Sequence, residues 1–168
     1  MMALHILQWN CRSIYKKFLE FKHFLSHLPV LPDILCLQET HLASRYYPNI
    51  PNYVMIRKDR PCAVGKGGGI CICVRNILSL REIRIPVINS CLEVMGITIN
   101  DYAITNVYNP PRNIRNILDL GFLSRFRRII LLGDFNSDHS VWGGRSINPS
   151  GRSLVSLIET NDYVVLNT

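Results

Sequence analysis

Apolar residues occur along the chain in short runs, several of which end in a polar side chain. Short apolar runs are typical of buried strands, in which successive side chains point to opposite, covered faces of a sheet. The runs predict strands at residues 4–10, 34–39, 53–58, 69–75, 80–87, 92–99, 103–108, 129–132 and 163–166. Because most of these strands follow one another closely, antiparallel pairing is favoured.

Apolar residues spaced by three and four positions predict helices between the strands. The first helix carries them at positions 14, 18, 21, 25 and 28, with Ser13 as its N-cap and Pro29 as its stop. A weaker helix is predicted at residues 114–126, which include Gly121. A further helix is indicated near the end of the chain by Leu154, Leu157 and Ile158.

The strand at residues 129–132 leads directly into polar residues. It is followed by Gly133-Asp134-Phe135-Asn136, which places a carboxylate and a carboxamide two positions apart. If the strand continues, Asp134 and Asn136 share a face and their polar groups converge. The alternative interpretation is an ordinary turn that begins at Gly133 and Asp134.

Three other predicted strands also end in polar residues. Their ends are Asn10, Gln38-Glu39-Thr40 and Tyr108-Asn109, the last followed by Pro110-Pro111. The prolines end the strand and hold the residues before them at the mouth of a loop. Because ligands of open α/β sheets bind beyond the carboxyl ends of strands, four polar strand ends predict one composite site.

These motifs, in this order, resemble those of the endonuclease/exonuclease/phosphatase superfamily. Three further motifs resemble the apurinic-type endonuclease domain of non-LTR retrotransposons, especially the jockey-like arthropod kind: Lys66-Gly67-Gly68-Gly69-Ile70, His139-Ser140-Val141-Trp142-Gly143 and Asn148-Pro149-Ser150-Gly151-Arg152. The resemblance covers residues 4–167. It implies an α+β fold, a four-layer α/β sandwich of two mixed, mainly antiparallel sheets flanked by helices. Residues 1–168 would form a single domain of this kind.

The resemblance also implies a magnesium-dependent endonuclease that nicks DNA by phosphodiester hydrolysis. Glu39 would bind Mg²⁺, with Mn²⁺ as a substitute, because this hard ion prefers one or two carboxylates plus waters. Asn10 would orient Glu39 or the water shell of the metal. Asp134, with Asn136 beside it, would position or deprotonate the attacking water, while Asn136 and Tyr108 would donate to the phosphate.

The positive charge of the chain favours a polyanionic partner. The formal net charge is +7, and lysines and arginines occur in groups, several of them just after the predicted strand ends. Many proteins this basic simply carry solvated arginines, but beside a hydrolytic site these groups suit the phosphates of double-stranded DNA. The predicted nucleic-acid contacts are Arg12, Lys66, Asn109, Arg112 and Arg145. Such a protein is expected inside the cell and in the nucleus when it acts, with no membrane partner.

The cysteines and the start of the chain argue against other classes of protein. Six cysteines are present without a Cys-x-x-Cys pair, and Cys71 and Cys73 are spaced like neighbours on one face of a strand. We therefore interpret them as small core residues rather than as zinc ligands or disulfides. Residues 1–10 lack the pattern of a secretory signal, and no apolar stretch is long enough to cross a membrane.

A glycine cluster and the histidines invite functional interpretations that the sequence does not favour. Gly65-Lys66-Gly67-Gly68-Gly69 precedes a predicted strand, whereas a phosphate-binding loop must lead into a helix. A flexible turn into a hairpin, with Lys66 near the DNA, is the better interpretation. His139 is interpreted as a surface or packing residue, and no partner pattern supports a role for the remaining histidines, His5, His23, His27 and His41.

Members of the resembled family continue past the position of Thr168. Their further strands bring a Ser or Thr, an Asp and a late Ser-Asp-His, so the second sheet is expected to be incomplete here, with residues 163–166 as an open edge strand. We therefore expect the chain to fold marginally and to be a poor nuclease by itself. It would be either a fragment of a polyprotein with a downstream reverse transcriptase or a decayed, inactive copy with residual nucleic-acid binding. A phosphatase for a small phosphorylated substrate is the alternative enzyme.

Overall fold

Two sheets of four strands each form the centre of the computed structural model, which describes residues 3–61, 67–86, 91–111 and 117–166. The first sheet has the strand order β1-β2-β4-β3, with β1 Ile6–Asn10, β2 Ile34–Gln38, β3 Tyr53–Lys58 and β4 Ile70–Arg75. The second has the order β5-β6-β7-β8, with β5 Arg81–Glu82, β6 Glu93–Ile99, β7 Tyr102–Tyr108 and β8 Ile129–Asp134. Two neighbouring pairs, β1 with β2 and β7 with β8, are parallel, and the other four are antiparallel.

The two sheets pack face to face over an apolar core. Alternate residues of β2 and β4, such as Cys36 and Ile72, contact Ile97 and Ile104 of the second sheet in this core. The residues between them, including Leu37, point to the opposite face of the first sheet and are also buried. Because both faces are covered, β2 and β4 read as continuous apolar runs.

Helices cover the outer faces of both sheets. Helix α1, Ile14–Ser26, packs Phe21 and Leu25 on the first sheet. A 3₁₀ helix, Ile117–Arg125, and helix α2, Pro149–Asn161, cover the second sheet with Leu120, Leu123, Leu154 and Leu157. These four layers confirm the predicted α/β sandwich of two mixed sheets.

Two predicted strands are corrected by the structure. Of the strand expected at residues 80–87, the described residues 80–86 form only β5, because the chain beyond Ile83 runs into Pro86, which has no N–H to donate; residue 87 lies outside the described residues. Residues 163–166 do not form a strand. The Tyr163 N–H instead donates to the Ile158 carbonyl (3.0 Å), a bond that closes the end of α2 rather than extending a sheet.

The predicted helices are also adjusted. The weak helix at residues 114–126 is a 3₁₀ helix from Ile117, and residues 112–116 lie outside the described residues. Ser13 occupies the N-cap position of α1, but its φ is 82° and its side chain makes no capping hydrogen bond there. None of the helices in the described ranges is long and apolar enough to span a lipid bilayer.

The buried cysteines are core residues, as predicted. Cys11, Cys36, Cys71 and Cys73 are buried free thiols, and the sulfurs of Cys71 and Cys73 lie 4.0 Å apart on one face of β4. Burial raises the pKa of the Cys11 thiol to about 12, so this thiol is protonated and unreactive at neutral pH. Cys91 is exposed, and Cys62 lies outside the described part of the chain.

Candidate active site

The carboxyl ends of four strands meet at one edge of the sandwich. Asn10 pairs with Gln38 at the end of the parallel pair β1 and β2, and Tyr108 pairs with Asp134 at the end of β7 and β8. Since β1 contacts β8 across the two sheets, both pairs deliver their last residues to the same region. The polar strand ends that were predicted to form one composite site therefore lie close together.

The Asn10 carboxamide joins two carboxylates from different sheets. Its Nδ2 donates to Glu39 Oε1 at 2.9 Å and to Asp134 Oδ2 at 2.5 Å. Its Oδ1 accepts the backbone N–H of Arg12 at 3.2 Å, which orients the amide group. In this arrangement Asn10 orients both acids, and its predicted role as a metal ligand stays a prediction.

The backbone around Glu39 is held from two sides. On one side, the first N–H groups of α1, from Ser13 and Ile14, donate to the carbonyls of Glu39 (2.7 Å) and Thr40 (3.1 Å). On the other side, the N–H groups of Thr40 and His41 donate to the carbonyls of Gly69 and Gly68, at 2.9 Å each. Gly67, Gly68 and Gly69 are called the glycine turn below. These bonds fix a segment in which Glu39 itself adopts a left-handed conformation, with φ 51°.

Left-handed residues are concentrated around this site. Arg12, Ser13, Glu39, His41 and Asn136 all have φ between 43° and 82°. Such a conformation costs roughly 1–2 kcal/mol for a residue with a Cβ, so the surrounding hydrogen bonds must impose it. Concentrated backbone strain of this kind is typical of functional sites.

The side chains of Tyr108 and Glu39 lie close enough for each to shift the pKa of the other. Tyr108 is 5% exposed, and burial, with the nearby charge and hydrogen bond of Glu39, raises its pKa to about 12. Burial alone would raise the pKa of Glu39, but hydrogen bonds from Asn10 and Tyr108 and the charges of His41 and Arg12 outweigh it. The pKa of Glu39 is therefore lowered. At neutral pH the pair consists of an ionised carboxylate and a phenol that still carries its proton.

Asp134 and Asn136 are adjacent, but a continuing strand does not place them on one face. The strand ends at Asp134, and Asn136 has φ 45°. The Asn136 N–H donates to Asp134 Oδ1 at 3.1 Å, while its side-chain Nδ2 donates to the Asn109 carbonyl at 2.8 Å. The turn interpretation therefore describes this segment, although Asp134 still belongs to the site.

Gly133 permits β8 to approach β7 closely just before Asp134. Its φ is 144°, and a Cβ at this position would lie 1.9 Å from the Val107 carbonyl oxygen. Any larger residue would displace β8 at the point where it delivers Asp134. The glycine of this motif is thus required by the backbone.

Asn109, for which the sequence predicts a nucleic-acid contact, is buried in the structure and bound to protein groups. The residue is 1% exposed, and its Nδ2 donates to the Phe135 carbonyl (2.8 Å) and to Ser150 Oγ (3.1 Å). Asn148, the N-cap of α2, similarly donates to the Asn136 carbonyl at 2.9 Å. These asparagines brace the loop that follows Asp134 against the start of α2.

The remaining predicted DNA contacts are basic residues. Arg12 is exposed and close enough to Glu39 for its charge to lower the carboxyl pKa. Arg145 is exposed in the loop between Asp134 and α2. Lys66 and Arg112 lie outside the described residues.

His41 has a partner that the sequence pattern did not indicate. Its Nε2 lies 3.5 Å from Glu39 Oε2, the carboxylate oxygen that Asn10 does not contact. The available signal was its position two residues after Glu39 in the same motif. His139 is a packing residue, as predicted, since its ring accepts the Val141 N–H at 3.3 Å.

A chain of three carboxamides, two of them fully buried, links the sheets beneath the site, and sequence analysis did not identify it. Gln8 donates to Gln38 and Gln38 donates to Asn106, each at 2.6 Å. Asn106 then donates to the carbonyls of Leu37 (3.1 Å) and Cys71 (3.0 Å). Gln8 is exposed, but Gln38 and Asn106 are fully buried, so the bonds between these two residues and the strand carbonyls are sheltered from water and fix the register of the sheets.

An open groove of about 1600 Å³ begins at Asn10 and Asp134. It follows β8 past Leu131 towards residues 160–166, so only its upper end belongs to the site. Among the described residues, no three His, Cys, Asp or Glu side chains are arranged to hold a metal ion. A cation here would therefore depend on one or two carboxylates and on water.

The sequence model of the Endonuclease/Exonuclease/phosphatase family matches residues 7–168. The chain belongs to this family. The resemblance drawn from the strand-end motifs is thereby confirmed at the family level. The endonuclease/exonuclease/phosphatase assignment covers the region that contains Asn10, Glu39, Tyr108 and Asp134.

Retrotransposon proteins are among the relatives of this family member. A probable RNA-directed DNA polymerase from transposon X-element of Drosophila melanogaster is 28% identical over 177 residues, covering 100% of this chain and 19% of that protein. The RNA-directed DNA polymerase from mobile element jockey of the same organism is 28% identical over 174 residues, covering 99% and 18%. The chain thus spans about a fifth of the length of the curated relatives it matches.

Solved structures share the fold. The endonuclease domain of TRAS1, a telomere-specific non-LTR retrotransposon, matches with a TM-score of 0.67 and 18% identity, covering 98% of this chain and 75% of that chain. An AP endonuclease from Archaeoglobus fulgidus matches with a TM-score of 0.65 and 17% identity, covering 94% and 71%. At these identities the likeness supports the family's sandwich fold.

Proposed function

We propose that this chain is a DNA-nicking endonuclease domain of a non-LTR retrotransposon protein, acting with a divalent cation. The observation that carries the proposal is the Asn10 carboxamide, which holds Glu39 and Asp134 together beside the Tyr108 hydroxyl. Two acids and a phenol are the groups that hydrolysis of a phosphate ester needs for water activation and charge stabilisation. The similarity to retrotransposon proteins over nearly the whole chain supports the choice of DNA.

The site suits a hard divalent cation. Glu39 and Asp134 share one hydrogen-bond donor at Asn10 Nδ2, so two carboxylates converge with little positive charge between them. Mg²⁺ binds through one or two carboxylates and keeps several waters, which fits this oxygen-rich set. Glu39 would hold the ion, with Asp134 and Asn10 next to it. When bound, such an ion neutralises charge on the phosphate and on the departing oxygen.

Asp134 is the best candidate for orienting the attacking water. Both of its oxygens are fixed, one by the Asn136 N–H and the other by Asn10. In hydrolysis the water oxygen bonds to phosphorus, the bond from phosphorus to one ester oxygen breaks, and Asp134 accepts the proton of the water. The departing oxygen takes a proton from solvent.

Tyr108 would donate a hydrogen bond to the phosphate. Its pKa of about 12 keeps the phenol protonated at neutral pH, so it remains a donor. The Tyr108 hydroxyl is already placed next to Glu39. A phosphate bound to a cation at Glu39 would therefore also lie within reach of the phenol.

DNA binding would come from exposed arginines on either side of the site. Arg12 lies on the α1 side and Arg145 on the loop that follows Asp134. Contacts of this kind neutralise phosphates without reading bases. Weak sequence selectivity is expected from them.

The test is nicking of supercoiled plasmid with Mg²⁺, Mn²⁺ or EDTA. The 168-residue chain and the chain joined to the sequence that follows it in its gene are assayed in parallel. Glu39→Gln and Asp134→Asn should each lower the nicking rate by about two to four orders of magnitude, whereas Asp162→Asn, at the exposed end of α2, should not. Metal-independent nicking, or none in either form of the protein, would contradict the proposal. Release of phosphate from small esters without nicking would identify a phosphatase instead.

A further inference from the structure

A buried ion pair lies beside the site without belonging to the proposed chemistry. Arg60 Nε donates to Glu93 Oε1 at 2.6 Å, and the two side chains are only 15% and 10% exposed. Glu93 Oε2 accepts the Gly69 N–H at 2.7 Å. Removing two charges from water is costly, and a buried pair of this kind often adds little to stability. A role of this ion pair other than stabilising the fold is therefore sought in the residues that it contacts.

The Arg60 guanidinium lies against the Tyr108 ring. Its Cζ is 5.6 Å from the ring centroid, within the range of a cation–π contact. Glu93 is the residue directly opposite Tyr108 in the pairing of β6 and β7. Arg60 thus covers one face of the Tyr108 ring, and Glu93, the strand partner of Tyr108, holds Arg60 in place.

The same guanidinium is packed on the glycine turn. A Cβ at Gly68 would lie 2.2 Å from Arg60 Cζ, so only a glycine leaves room for the arginine. Gly68 and Gly69 present the carbonyls that accept the N–H groups of His41 and Thr40. The ion pair therefore also sets the turn that holds the segment beginning at Glu39.

We propose that Arg60 and Glu93 are positioning residues that hold the Tyr108 hydroxyl against Glu39. The inference rests on the proposed hydrolytic function, since it concerns turnover at that site. Arg60 contacts the tyrosine ring directly and reaches Glu39 through Gly68. A planar guanidinium can do both at once, because its flat face covers the ring while its edge donates to the carboxylate.

Nicking kinetics provide one test. Arg60→Met keeps the length of the side chain but removes the guanidinium, and it should lower kcat by about 10- to 100-fold with KM for DNA within about twofold. Arg75→Met is the matched control, because Arg75 pairs with Asp33 at 3.8 Å at the other end of the same hairpin. The control should change neither constant. A loss of kcat no larger than in Arg75→Met, or a loss confined to KM, would overturn the proposal.

A second test does not depend on activity. In protein labelled with 3-fluorotyrosine, the ¹⁹F signal of Tyr108 is identified by its absence in Tyr108→Phe. Arg60→Met should shift or broaden this signal, and Arg75→Met should leave it unchanged. An unmoved signal would overturn the positioning role even if nicking fell. If the wild-type protein does not nick, the proposed function fails, but the NMR result still decides the contact.

A double variant guards against simple unfolding. Arg60→Met alone leaves the Glu93 charge buried and unpaired, which is strongly destabilising. Arg60→Met with Glu93→Gln removes that charge and keeps an acceptor for the Gly69 N–H. The double variant should fold and still show the altered Tyr108 signal and the lower kcat. Wild-type values for both would contradict the proposal.

Discussion

Asn10 Nδ2 lies 2.5 Å from Asp134 Oδ2, although the two residues are 124 positions apart in the sequence. The bond ties β1 of the first sheet to β8 of the second at the edge where their carboxyl ends meet. The same nitrogen also donates to Glu39, so one neutral amide separates two acids. The observed placement of the two acids thus depends on an uncharged donor at position 10.

Replacing Asn10 by Asp should inactivate the site and weaken the fold. Asn10→Asp removes the shared donor and places a third carboxylate between Glu39 and Asp134. The loss of two hydrogen bonds to charged acceptors should cost roughly 2–3 kcal/mol in the free energy of unfolding at pH 7. Urea unfolding and plasmid nicking measure the two effects. Asn100→Asp, in the exposed turn between β6 and β7, is the control and should remain within about 0.5 kcal/mol of wild type.

Removing the Tyr108 hydroxyl should strongly lower the nicking rate and only modestly lower the free energy of unfolding. Tyr108→Phe keeps the buried ring but loses the hydroxyl that would donate to the phosphate, so the nicking rate should fall about 100-fold. Loss of the interaction between this hydroxyl and Glu39 should lower the free energy of unfolding by roughly 1–2 kcal/mol. Tyr102→Phe, at the other end of β7, should leave nicking unchanged. Since the folded pKa of about 12 exceeds the ordinary value of 10.0, the contribution of Tyr108 to stability is present below pH 10 and lost as pH rises towards 12. Unfolding curves in this window should differ between wild type and Tyr108→Phe, and coincident curves would contradict the assignment.

Acid should weaken the protein partly through Glu39. The folded pKa of Glu39 lies below the ordinary value of 4.5, so its carboxylate stabilises the folded state above that pH. This contribution is lost as pH falls through the folded pKa, because the unfolded state then binds the proton first. Thermal unfolding between pH 7 and pH 3 should show a smaller loss of Tm for Glu39→Gln than for wild type. Parallel curves would show that Asn10 and Tyr108 do not favour the ionised form.

Binding to duplex DNA should be electrostatic and should depend on Arg12 and Arg145. Affinity should fall steeply with salt, and each Arg→Ala change should reduce the slope of log K against log salt by about one. The effect should be similar for unrelated sequences, since contacts to phosphates do not read bases. Arg81→Ala, on the opposite edge of the second sheet, is the control. Fluorescence anisotropy at several salt concentrations measures these slopes, and salt-insensitive binding would rule out this surface.

Local sequence patterns were sufficient to predict most strands and to select Glu39 and Asp134 as candidate site residues. Strand β3 was predicted with its observed bounds, and β6 and β7 to within one residue, because a covered strand needs apolar residues in an uninterrupted local run. Glu39 and Asp134 were identified because each follows such a run directly, and the end of a strand is where the sandwich exposes polar groups.

Which polar residues lie at the candidate site and which are buried in the fold follows from contacts between distant segments. Asn109 resembled a ligand-binding residue but is buried against Phe135, whereas His41 had no visible partner and lies beside Glu39. Arg60 and Glu93 are 33 residues apart and meet only when the sheets stack. Residues 163–166 had the composition of a strand, but a strand also requires a neighbour to pair with. Contacts between distant segments depend on how the layers pack, and no local periodicity records them.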